Sequence, residues 1–185
     1  MNNKLKIKIG VIGVGHLGNF HIEQLLKLKN VSCIGFYDKS KDNANEASQK
    51  FNLKSYKSIS SICHDADAII ISTPTSSHYD IALIGLKHNC HLFIEKPITE
   101  TVEQAEDLLK KSHNNIIQVG HIENFNPAFC SLKDQKLEPQ FIESHRLSTY
   151  TSRGTDVTVV SDLMIHDIGI LITIINSKIK HINAK

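Results

Sequence analysis

Three side chains in this sequence could oxidise an alcohol between them: Lys96, Asp162 and His166. Lys96 stands in Ile94-Glu95-Lys96-Pro97, where the apolar run Cys90 to Ile94 ends in a charged pair and a proline. The run reads as a strand, and open α/β sheets bind ligands outside the carboxyl ends of their strands. A lysine there faces a ligand, and its ammonium can donate to an oxygen that is gaining negative charge. Asp162 and His166 are four residues apart in the apolar stretch Val160 to Ile175, so a helix would put them on one face. A neutral imidazole can take a proton from a hydroxyl near physiological pH, with Asp162 orienting either the ring or the substrate. Asp167 falls on a neighbouring face and is the weaker candidate. Taken alone, an acid and an imidazole on an apolar helix are equally a satisfied buried pair; Lys96 favours the catalytic reading.

Such a reaction needs a hydride acceptor, and the sequence offers a place for one. Gly13-Val14-Gly15-His16-Leu17-Gly18 fits G-x-G-x-x-G, and it follows a strand-like run and opens a helical one, the context that the motif requires. The first glycine permits the tight turn, the second admits a pyrophosphate against the backbone, and the third lets helix and strand pack closely. His16 and Leu17 complete the candidate cofactor loop. The phosphates would meet the free amides at the helix N-terminus. Asp38 lies twenty residues beyond Gly18 at the end of the second strand-like run, where an acid accepts from the ribose hydroxyls and repels a 2′-phosphate. NAD is thus favoured over NADP, with Lys39 and Lys41 keeping the phosphorylated form open. Thr73-Pro74-Thr75-Ser76-Ser77-His78 follows another strand at the same edge. It either lines the cofactor, through Thr73, Pro74 and His78, or simply caps a helix.

The elements that must position these groups alternate. β-Branched runs at Ile7 to Ile12, Val31 to Tyr37, Ala68 to Ser72, Cys90 to Ile94 and Ile116 to Val119 are separated by helical patterns. Those patterns are Leu17 to Lys29, Asn43 to Phe51, Ser58 to His64, His78 to His88 and Thr101 to Ser112. Thr101 and Gln104 have the spacing of a capping box, and Leu53 to Tyr56 reads as a short extended piece. The alternation predicts an α/β Rossmann domain, a doubly wound parallel sheet, over residues 1–122. From 123 to 185 the pattern changes. A connecting helix is expected at Asn124 to Leu132, a strand at Phe141 to Leu147 and a polar loop at Tyr150 to Thr158. The apolar helix follows at Val160 to Ile175, then a last strand at Lys178 to Asn183. Two strands and a helix do not bury a sheet face, so this second α/β domain is expected to be incomplete.

The 185 residues carry 41% apolar and 22% charged side chains and a net charge of +2, enough for a packed core and too balanced for nucleic acid or an anionic membrane. No cysteine pair has metal or redox spacing, and no metal site is expected. The N-terminus lacks an apolar leader core and no stretch is long enough to span a bilayer. A cytoplasmic protein with reduced thiols is the expectation. Arg146 and Arg153 are the only arginines, and arginine offers a planar fork that lysine lacks.

Taken together, Gly13 to Gly18, Thr73 to His78, Glu95-Lys96-Pro97, Phe125-Asn126-Pro127 and Asp162-Leu-Met-Ile-His166 resemble the Gfo/Idh/MocA oxidoreductases, a family of sugar and inositol dehydrogenases. The resemblance runs through nearly the whole chain in the family's order. It implies roles for Lys96, Asp162 and His166 as above, Glu95 beside the cofactor, a cis bond at Lys96-Pro97, and Asn126 at the substrate. Phe141-Ile-Glu-Ser-His-Arg-Leu and Arg153-Gly-Thr-Asp156 are similar to the branch that holds UDP-N-acetylglucosamine 3-dehydrogenases. That implies a UDP-sugar substrate whose diphosphate Arg146 and Arg153 would hold. A free-sugar or inositol dehydrogenase, or a dinucleotide binder without catalysis, are the alternatives. Gly169 departs from the family, which commonly has an acid there. Family members are longer, so a family-like homo-oligomer is expected only if the second sheet is complete.

Overall fold

The computed structural model describes residues 6–132, 135, 137–147 and 158–184. The chain divides into two compact units, Met1–Gly120 and His121–Lys185.

The first unit is built around five parallel strands: β1 (Ile7–Ile12), β2 (Val31–Tyr37), β3 (Ala68–Ile71), β4 (His91–Ile94) and β5 (Ile117–Val119). Their order across the sheet is β2-β1-β3-β4-β5. The chain therefore winds outward from β1 in one direction, returns, and continues in the other. A crevice opens at such a reversal, at the carboxyl ends of β1 and β3. Helices α1 (His16–Lys27) and α2 (Lys41–Phe51) cover one face, and α3 (Ile59–Asp65), α4 (His78–Lys87) and α5 (Val102–Lys111) the other.

Period-two alternation divides each strand between these layers. Val11 and Ile70 pack with Ile22 and Leu25 of α1 and Ala47 of α2. Ile12, Ile69 and Ile71 pack with Ile62 of α3, Ile81 and Leu86 of α4, and Leu108 of α5. The helix starts obey local chemistry. The Ser40 hydroxyl accepts from the Asn43 amide, Ser58 and Ser61 form a capping box, and Thr101 and Gln104 form the one that their spacing predicts. Leu53 to Tyr56 adds no full strand. It contributes a single bridge, Ser55 to Phe36, along the outer edge of β2.

The second unit departs from expectation. The connecting helix is broken into a 3-10 turn, Ile122–Phe125, and α6 (Pro127–Cys130), because proline has no amide hydrogen to continue a helix and is best placed in its first turn. The apolar helix begins as a π-turn, Val160–Met164, and becomes α7 (Ile165–Ile174). Neither expected strand forms: 141–147 and 178–183 have no regular secondary structure. A strand exists only through a partner that takes its amides and carbonyls, and among the described residues none lies beside either segment. Most of the expected loop at 150–158, with Arg153 in it, lies outside the described residues. Among the described residues no helix is long and apolar enough to cross a membrane. All four cysteines are free thiols.

Candidate active site

The register of the sheet collects the candidate residues into one row. Ile12 pairs with Tyr37 on one side and Ile71 on the other, Ile71 with Ile94, and Ile94 with Val119. The next residues on these strands are Gly13, Asp38, Ser72, Glu95 and Gly120. Five carboxyl ends thus finish level, and the motifs recognised separately in sequence become neighbours.

The crevice at the reversal holds a cavity of about 600 Å³, lined among others by Gly13, Gly15, Asp38, Ser40, Thr73 and Pro74. That volume is in the range of small-molecule and cofactor sites. Gly13 turns with φ +86°, a left-handed conformation, and a β-carbon at Gly18 would fall 1.9 Å from the Gly13 carbonyl oxygen. Both positions therefore demand glycine from within the protein. Gly15 differs, because a β-carbon there would meet nothing within 4 Å. Its absence keeps an open cradle over the first turn of α1, where a pyrophosphate can reach the backbone. These residues fit a dinucleotide.

Asp38 is held by two amides: Oδ2 accepts from Val14 N at 2.7 Å and Oδ1 from Ser40 N at 2.7 Å. Its carboxylate thereby joins the glycine turn to the loop after β2. Each oxygen keeps a second lone pair for a ribose hydroxyl. Asn19 and Ser72, unmarked by any motif, complete the turn. The Asn19 side-chain amide donates to the Val14 and Gly15 carbonyls at 2.8 Å each, and the Ser72 hydroxyl donates to the Gly13 carbonyl at 2.8 Å. An asparagine after a glycine loop gives no sequence signal, since its partners are backbone atoms.

The remaining cofactor candidates divide. His16 lies on a shallow surface between α1 and α2, edge-on to Phe20, and Leu17 is exposed. His78 and Glu95 are buried and engaged by protein. The His78 ring nitrogens lie 2.9 Å from the Pro97 carbonyl and 2.8 Å from that of Thr73. Glu95 Oε1 lies 2.7 Å from His21 Nε2. Lys96 follows Glu95 in this first unit, and its bond to Pro97 is cis.

In the second unit, Asp162 stands in the π-turn and His166 in the first turn of α7. Asn126 caps α6, its Oδ1 accepting from Ala128 N at 3.0 Å. Arg146, expected beside a diphosphate, is forked onto Asp167 instead, with Nε and Nη2 each donating to one carboxylate oxygen at 2.9 Å. The guanidinium holds the Asp167 carboxyl below the usual carboxylate range, and Asp167 raises Arg146 in return. The sequence does not reveal this pair because its members lie 21 residues apart in different segments, where no local spacing links them.

Residues 7–121 match the model of an oxidoreductase family with an NAD-binding Rossmann fold. The UDP-N-acetylglucosamine 3-dehydrogenase of Acidithiobacillus ferrooxidans is 31% identical over 169 residues, 90% of this chain and 53% of its own length. A solved structure of that enzyme superposes with a TM-score of 0.85, covering 91% of this chain and 56% of that one. The myo-inositol dehydrogenase of Lactobacillus casei, solved with NAD(H) and myo-inositol, is 28% identical with a TM-score of 0.65, covering 70% of this chain and 40% of that one. The chain spans about half the length of the first of these relatives.

Proposed function

We propose, for a chain that belongs to the Gfo/Idh/MocA oxidoreductase family, that it carries the cofactor half and part of the substrate half of a cytoplasmic NAD-dependent sugar dehydrogenase. The observation that carries this reading is the level row of strand ends, which brings Gly13, Asp38 and Thr73 to one cavity of cofactor size and ends β4 one residue before the Glu95-Lys96 pair. Bound NAD supplies the acceptor for the hydride that leaves the carbinol carbon. His166 takes the hydroxyl proton, so the alcohol becomes a ketone as one hydride and one proton depart. Lys96 donates a hydrogen bond to the same oxygen and stabilises its alkoxide character. Asp162 orients the imidazole or the sugar, and the segment from residue 123 onward begins the substrate domain. Asn126 and Arg153 are the further substrate contacts in this reading.

The substrate favoured is a UDP-N-acetyl sugar oxidised at the 3-hydroxyl. Its support is the 31% identity to an enzyme of that name over nine-tenths of this chain. A free sugar or inositol is the second reading, and the Arg146–Asp167 fork favours it, since an arginine already paired is less available to a diphosphate. NADH absorbance with UDP-N-acetylglucosamine and with inositol at fixed NAD separates the two. Turnover of inositol alone would sink the nucleotide-sugar reading. NAD binding without hydride transfer to or from any sugar would leave a dinucleotide-binding protein. Lys96→Met is expected to lower turnover about 100- to 1000-fold with little change in NAD affinity; equal loss of both would make Lys96 a cofactor-holding group.

A further inference from the structure

Two histidines meet the Glu95-Lys96-Pro97 turn from opposite faces of the sheet. His21 comes from α1, on the face packed around Val11, Phe36 and Ile70. Its ring stands edge-on to Phe93, and its Nε2 lies 2.7 Å from Glu95 Oε1. The other oxygen, Oε2, accepts from the Lys96 amide at 3.3 Å. Gly120 leaves the space that this oxygen occupies, since a β-carbon there would be 3.0 Å from it. His78 opens α4, on the other face, and is only 1% exposed. It reaches the residue on the far side of Lys96, Pro97, and also Thr73 at the cavity edge. A carbonyl can only accept, so whichever ring nitrogen carries hydrogen ties one loop, and a ring protonated on both ties the two together.

We propose that His21 and His78 are positioning residues that hold the Glu95 side chain just before Lys96 and the Pro97 carbonyl just after it, so that the lysine's ammonium is delivered to one place at the strand ends. A satisfied buried histidine by itself would mean nothing more than packing. Here two of them, 57 residues apart in sequence and from opposite layers, close on the residues immediately before and after the same lysine. The lysine stem is long and rotamer-rich, so a fixed Cα narrows the positions that its ammonium can reach. Hydrogen bonds to a buried carboxylate are the short, strong kind suited to that task. The catalytic meaning of the clamp rests on Lys96 being the hydrogen-bond donor proposed above, whereas its existence does not.

The test separates the two. The full chain is reductively methylated with carbon-13, the Lys96 dimethylamine resonance is assigned by its loss in Lys96→Arg, and NAD affinity is measured alongside. In His21→Leu and His78→Leu the Lys96 resonance is expected to move into the envelope of solvent-exposed lysines, with NAD affinity held in His21→Leu. His21→Gln and His78→Gln, which keep an N–H donor, should leave it in place. With an active substrate in hand, the leucine variants should lower kcat about 10- to 100-fold at unchanged KM, the cost of misplacing one group. A Lys96 resonance unmoved in His21→Leu overturns the clamp. Should His78→Leu fail to fold, the leucine–glutamine contrast at the partly exposed His21 decides. If no sugar is turned over by the unaltered chain, the dehydrogenase reading fails while the resonance still reports on the clamp.

Discussion

Strand β3 and helix α7 are both runs of isoleucine, and they end in opposite surroundings. Ile69, Ile70 and Ile71 are all buried, with strands on both sides and helices over both faces. Ile172 of α7 is 67% exposed, and no residue of that helix is buried. Residues 141–147 and 178–183 repeat the contrast, since Phe141, Leu147, Ile179 and Ile182 are exposed as well. An apolar run is therefore not a core. It becomes one when neighbours arrive on each face, and only the first unit supplies those neighbours among the described residues.

The largest expected effect tests that contrast directly. Ile69→Ala should cost about 2–5 kcal/mol, because it leaves a cavity between β3 and the helices above it. Ile172→Ala should fall within about 0.5 kcal/mol of the parent, as exposed substitutions do. Denaturant titration of both variants measures the difference. Equal destabilisation would mean that Ile172 is covered in solution, and the comparison would break.

The same contrast explains how much was legible in the sequence. Every strand of the first unit lies within two residues of its expected bounds, because alternation, glycine turns and helix caps are local signals. The capping box at Thr101 and Gln104 needed only its own spacing. The His21–Glu95 contact joins residues 74 apart and could be seen only once strand register placed α1 beside β4. Segments 141–147 and 178–183 carry strand-like residue types, but β structure is a property of pairs, and the pattern names one partner only. The π-turn before α7 has no sequence signature in this reading either. In the crevice, the tight turn at Gly13 and the close packing at Gly18 are legible because a fixed spacing expresses fixed geometry. The contacts of His78, Glu95 and Arg146 are not, since each depends on a partner from another element.

A smaller effect sharpens what belongs to the first unit alone. Asp38→Ala should weaken NAD binding about 10- to 100-fold, the worth of hydrogen bonds to a charged group. It also removes the acceptor for Val14 N and Ser40 N, so the glycine turn and the loop after β2 loosen as well. Asp38→Asn removes the charge and keeps one of the two acceptors, so its NH2 meets either the Val14 or the Ser40 amide as a second donor. It should therefore loosen one of the turn's two ties and relax discrimination against NADP. Calorimetric titration with both dinucleotides checks this, and an unchanged NAD to NADP ratio in both variants would remove Asp38 from the ribose site.

The smallest effect belongs to the second unit, whose best-defined polar tie is the fork between Arg146 and Asp167. Both side chains are partly open to water, so the pair should contribute about 0.5–1 kcal/mol, the upper part of the range for accessible ion pairs. Its pH dependence follows from sign. The folded-state carboxyl of Asp167 is held below its unfolded value by the guanidinium. The contribution is then fully present above the unfolded value of about 3.9 and is lost as pH falls through the lowered folded one. The gap in melting temperature between the parent chain and Asp167→Asn should thus be constant from pH 7 to about pH 5 and close below about pH 4. A gap that persisted unchanged into strong acid would show that Asp167 acts through packing rather than charge. Sensitivity of the gap to salt separates these further, because a partly exposed pair is screened and a packed one is not. If salt opens the fork, Arg146 becomes available to an anionic substrate, and the same titration repeated with UDP would show whether a diphosphate competes with Asp167 for it.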